Sequence, residues 1–70
     1  MEPHKLDQQW IKQQLNLIPF ENRKAAIEGY KRVFKEAYEA EPIDHMKSNK
    51  ARRAANTRLR EYVKKLLAKH

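Results

Sequence analysis

The sequence predicts an all-α, three-helix domain whose long basic C-terminal helix forms an antiparallel hairpin with the helix before it. Three observations lead there. Helix-favouring Ala, Lys, Glu, Gln, Arg and Leu dominate a chain that holds one glycine. Apolar residues recur every three or four positions through three stretches. Pro19 and Pro42 fall between those stretches, and each biases the residue before it, Ile18 and Glu41, away from the helical region.

The first helix is expected over about residues 6–17, where Leu6, Trp10, Ile11, Leu15 and Ile18 keep an amphipathic spacing. Asp7 lies near its start, where a carboxylate meets free backbone N–H groups and the positive dipole end. Gln8, Gln9, Lys12 and Gln13 form the opposite, polar face. This helix is expected to cover the open side of the hairpin and to bury Trp10.

The second helix is expected over about residues 20–40. Ile27, Tyr30, Phe34, Ala37 and Tyr38 make its apolar stripe, widened by Ala26 and Val33. Outside the stripe, Lys24–Glu28, Glu28–Arg32, Arg32–Glu36 and Lys35–Glu39 are opposite charges four apart, the pattern of a solvated face. Gly29 sits inside this helix at a cost of about 1 kcal/mol against alanine, which a close helix–helix approach would offset.

The third helix is expected over about residues 44–69, with Asp44 as its N-cap and Ser48 or Asn49 as a later start. Ala51, Ala55, Leu59, Tyr62, Val63 and Leu66 make one continuous stripe. About 25 residues at 1.5 Å each span roughly 37 Å. That is long for so small a domain, and one end is expected to project or pair with another molecule.

Residues 1–70 make one domain. A chain this short buries only roughly 60% of the surface its unfolded form exposes, and its core supplies typically ~3–5 kcal/mol. No cysteine is present to staple it. The lack of thiols, of an apolar run of roughly 20 residues and of a signal-peptide core after Met1 points to the cytoplasm.

Charge is the feature that speaks to function. The formal net charge is +7, held unevenly. Residues 1–46 carry seven Lys/Arg against eight Asp/Glu, whereas residues 47–70 carry nine Lys/Arg against Glu61 alone. The excess therefore lies in the last third, and it predicts a polyanionic partner, nucleic acid first and an acidic protein surface second. With Leu59 at the centre of the buried face and about 100° per residue, Arg60, Arg53 and Lys64 fall on one flank. Lys47, Arg58 and Lys65 fall on the other, with Lys50 on the outer crest. These seven cations are the candidate contacts to DNA, RNA or an acidic partner, because a helix so charged reaches phosphates on both sides of a groove. Tyr62, at the edge of the stripe, is the candidate for base stacking. Trp10 and Tyr30 face the core.

Arg52 breaks the pattern, since it lies about 20° from Leu59 within the apolar stripe. A guanidinium there must be paired or reach solvent. Glu36 or Glu39 is the expected partner, or else the side chain snorkels at the end of the core. Asn56 lies one turn further along the same edge.

No catalytic residues, cofactor or metal site emerge. His4, His45 and His70 are scattered and share no helix face with another ligand. There is no phosphate-binding glycine loop, nucleophile elbow or Cys–His pair, so the chain is not expected to be an enzyme. Nor is a standard helix-turn-helix expected, because the helices flanking Pro42 are long and their turn lacks glycine. Alanines 51, 54, 55 and 68 permit a homodimer through the third helix.

IPFENRKAAIEGYKRVFKEAYEAEP (18–42), followed by NKARRAANTRLREYVKKLL (49–67), resembles small uncharacterised proteins encoded in prophages of Gram-negative bacteria. Trp10, the turn at 17–19, Tyr30 and the run at 55–60 carry the likeness, which spans most of the chain. The resemblance implies a phage context in a bacterial cytoplasm: a replication accessory, a transcriptional regulator, or an inhibitor of host machinery such as a defence nuclease. It brings no functional residues with it.

Overall fold

A computed structural model describes the backbone of residues 5–68 and the side chains of 7–68. It holds three helices, α1 (Lys5–Asn16), α2 (Phe20–Ala40) and α3 (Asp44–Ala68), and no strand among the described residues. The long α2 and α3 pack closely as an antiparallel hairpin, and α1 rests more lightly on both. The extents are 41 × 21 × 16 Å, a rod set by the length of α3.

Prolines terminate the helices as their chemistry dictates. The end of α1 tightens into i→i−3 bonds, Leu17 N–H to the Gln14 carbonyl at 3.1 Å and Ile18 N–H to that of Leu15 at 3.3 Å. Pro19 then sits at φ −57°, ψ 147° as the flanking residue of α2. Glu41, held extended at φ −86°, ψ 118° by Pro42, ends that helix. Asp44 is the first residue of α3 rather than a flanking cap, and there its carboxylate still meets the positive end of the dipole.

The core is one cluster along the hairpin. Ala51 and Ala55 are 0% exposed and Leu59 is 2% exposed, packed with Ile18, Ala26, Tyr30, Phe34 and Val63. Small residues on α3 let the two backbones approach, while the aromatics of α2 fill the width. Tyr30, Phe34 and Tyr38 stack in sequence, with centroids 6.5 and 6.3 Å apart. Since Ala51 and Ala55 are enclosed within the chain, the alanine argument for a homodimer through α3 loses two of its four residues. Asn22 opposes Tyr62, so the last turn of α3 runs past the start of α2 and leaves Leu67 exposed.

Three expectations are corrected. Trp10 is half-buried, resting on the cluster's edge, because α1 lies lightly on the hairpin. Ile27 is exposed. It lines, with Ile11, Phe34 and Tyr38, an apolar groove of about 680 Å³ between α1 and α2, rimmed by Lys31, Lys35 and Glu39. Of the four charge pairs expected on α2, only Arg32–Glu36 forms among the described residues, at 3.8 Å.

Candidate nucleic-acid interface

The cations of α3 divide into two groups according to what the fold does with them. Arg52 belongs to the first. Its Nε donates to Asp7 Oδ2 at 2.6 Å and its Nη2 to Oδ1 at 3.4 Å. The partner is thus on α1, not Glu36 or Glu39 on α2, because Arg52 occupies the side of α3 that α1 covers. Asp7 is in the first turn of α1 as expected, but its carboxylate turns inward and is buried. The bond to Asp7 pushes the Arg52 pKa up, keeping the guanidinium charged. Beside this pair, Tyr30 Oη donates to Asn56 Oδ1 at 2.7 Å. Burial first, and the Asp7 charge second, hold the phenol above its ordinary pKa, with Arg52 opposing. Sequence periodicity marked Arg52 and Asn56 as misfits in an apolar stripe; their partners on other helices carry no sequence signal.

The Asp7–Arg52 pair anchors α1. Its side chains are 12% and 33% exposed, between a surface pair worth ~0–1 kcal/mol and a buried one whose disruption costs ~3–5 kcal/mol. Arg52→Met is therefore expected to destabilise by about 2 kcal/mol, lowering the melting temperature by roughly 8–16 °C. Asp7→Asn with Arg52→Met should recover most of that loss, because no buried charge then lacks its counterion. Thermal unfolding followed by circular dichroism checks both; a shift below about 2 °C for the single change would mean that the pair anchors nothing.

Two more candidates are engaged within the fold. Lys47 Nζ donates to the Tyr38 carbonyl at 3.3 Å and also to that of Glu41, and lies 5.6 Å from the centre of the Tyr38 ring. It therefore satisfies carbonyls that α2 leaves open at its C-terminus. Arg60 is exposed, but its guanidinium lies 5.4 Å over the Trp10 ring. On α2, Arg23 makes a comparable tie, donating from Nε to the Leu15 carbonyl at 2.8 Å and lying 5.7 Å over the Phe20 ring.

Lys50, Arg53, Arg58, Lys64 and Lys65 form the second group. All five are exposed, and no carboxylate pairs with any of them among the described residues. Tyr62 is half-buried and accepts a hydrogen bond from Asn22 Nδ2 at 3.3 Å.

His45 is exposed, and no group of His, Asp or Glu able to hold a metal occurs among the described residues; His4 and His70 lie outside them. No helix among the described residues is long and apolar enough to cross a membrane. Compared with family models, curated proteins and solved structures, the chain matches none of them.

Proposed function

We propose that this is a small phage-type nucleic-acid-binding accessory or regulatory protein, a binding module rather than a catalyst, acting in the cytoplasm of the host cell. One observation carries the reading: Lys50, Arg53, Arg58, Lys64 and Lys65 stand exposed along one helix without carboxylate partners among the described residues. Cations so placed neutralise phosphates, which gives affinity with little sequence choice. Their neighbours Lys47 and Arg52 are tied to a backbone carbonyl and a carboxylate, so the selection of free charges is not simply the composition of the helix.

Fluorescence anisotropy with duplex DNA, single-stranded DNA and RNA tests this. Five phosphate contacts on duplex DNA give a log–log salt slope of about −4.5, a fall in affinity of a few hundredfold between about 50 and 200 mM salt. Absence of binding to all three at the lower salt removes the reading. A complex with an acidic protein that survives nuclease treatment would instead select an interaction module or inhibitor, for which the apolar groove with its Lys31 and Lys35 rim offers a surface.

A further inference from the structure

Gly29 has no structural reason to be glycine. Its φ is not positive, and a methyl group built on its Cα would meet nothing within 4 Å. The close helix approach expected to offset its poor helix propensity is absent. What the missing side chain leaves is space. On the face of the hairpin away from α1, a cleft of about 90 Å³ runs between α2 and α3, with Ala25 and Gly29 on one wall, Arg58 and Tyr62 on the other, and Arg32 at the rim.

We propose that this cleft is a site for a phosphoryl oxyanion, and that in the nucleic-acid complex it seats a backbone phosphate. The inference deepens the reading given above and rests on it for the second clause. A volume of about 90 Å³ gives room for a tetrahedral phosphoryl group. Both arginines are available to it. Arg58 is exposed and has no carboxylate partner among the described residues. Among the described residues Arg32 makes only the 3.8 Å contact to Glu36, with both side chains about 70% exposed, a pair weak enough to exchange for phosphate. Guanidinium forks match phosphate oxygens bidentately. The Tyr62 hydroxyl accepts from Asn22, which leaves its own proton to donate. The small floor then leaves the oxyanion room beside α2, which a side chain as large as leucine at 29 would occupy. Arg58 and Lys65 share a flank of α3, so the cleft continues the cationic surface instead of standing apart from it.

Two variants and two ligands test this on the full chain. Inorganic pyrophosphate and a short DNA duplex are titrated at about 50 mM salt while the Gly29 and Tyr62 amides and the Arg58 Nε–H are followed by NMR. Both ligands are expected to shift these three signals. Gly29→Leu, which fills the cleft with a good helix former, should abolish the pyrophosphate shifts and weaken the duplex about tenfold, as Arg58→Gln should. Gly29→Ala controls for folding and should raise the folding equilibrium constant about fivefold, since nothing blocks the methyl. If the duplex binds wild type and Gly29→Leu equally and pyrophosphate leaves the cleft signals unmoved, the cleft proposal is overturned while nucleic-acid binding stands. Should pyrophosphate shift the cleft while no nucleic acid binds, the oxyanion site stands and the proposed function falls. Silence from both ligands overturns both.

Discussion

Leu59→Ala is expected to abolish cooperative folding at physiological temperature. Leu59 lies at the centre of the hairpin's buried seam, 2% exposed, between Ala55 and Val63 on its own helix and facing the aromatics of α2. Truncating a buried leucine costs ~2–5 kcal/mol, the transfer term plus the cavity left behind. A protein of this length has a total stability on the order of 3–10 kcal/mol, and no disulfide supports this one. The loss is therefore comparable with the whole. Urea denaturation followed at the helical circular-dichroism band should show the midpoint falling toward zero denaturant. Leu67→Ala, at a residue 47% exposed in the last turn of α3, should leave the midpoint in place. A Leu59→Ala midpoint close to wild type would mean that the α2–α3 seam is not where stability resides.

The second large effect is on affinity. Changing Arg53, Arg58, Lys64 and Lys65 together to glutamine removes four cations that make no ion pair among the described residues. Folding should be unaffected, because substitutions at exposed positions without partners fall within about 0.5 kcal/mol. Affinity for duplex DNA should drop by about two orders of magnitude or more near 50 mM salt, and the log–log salt slope should shrink by about 3.6, at 0.9 per phosphate contact. The contrast with Arg52→Met is diagnostic: that change should lower stability first, whereas the fourfold change should lower binding alone. Unchanged affinity in a folded fourfold variant would remove α3 as the binding surface.

Periodicity and proline placement made the architecture legible before any coordinates. The end of α1, both ends of α2 and the start of α3 fall within about a residue of expectation, and the expected end of α3 at residue 69 lies outside the described residues; those signals are local, a three-to-four repeat along one chain segment and a ring that forbids helical φ/ψ just before it. The partners of Arg52, Lys47 and Arg60 were not legible. Asp7, the C-terminal carbonyls of α2 and the Trp10 ring lie on other elements, and which helix covers which flank of α3 is a tertiary fact with no period of its own. A mid-helix glycine usually marks a close helix contact, yet the cleft beside Gly29 shows that its missing side chain leaves room instead. The apolar groove between α1 and α2 escaped the sequence for a related reason. Ile11 and Ile27 carry the apolar pattern of buried residues, but α1 at 12 residues is too short and too lightly seated to cover the 21 residues of α2.

The light seating of α1 also sets how the molecule meets an electric field. Its contacts pair Arg52 with a carboxylate, which offsets that charge locally, and set Arg60 against an indole, which leaves its charge in place. Detaching α1 would leave the net charge of +7 unchanged while drawing the Asp7 carboxylate away from Arg52, so the cationic field along α3 would strengthen.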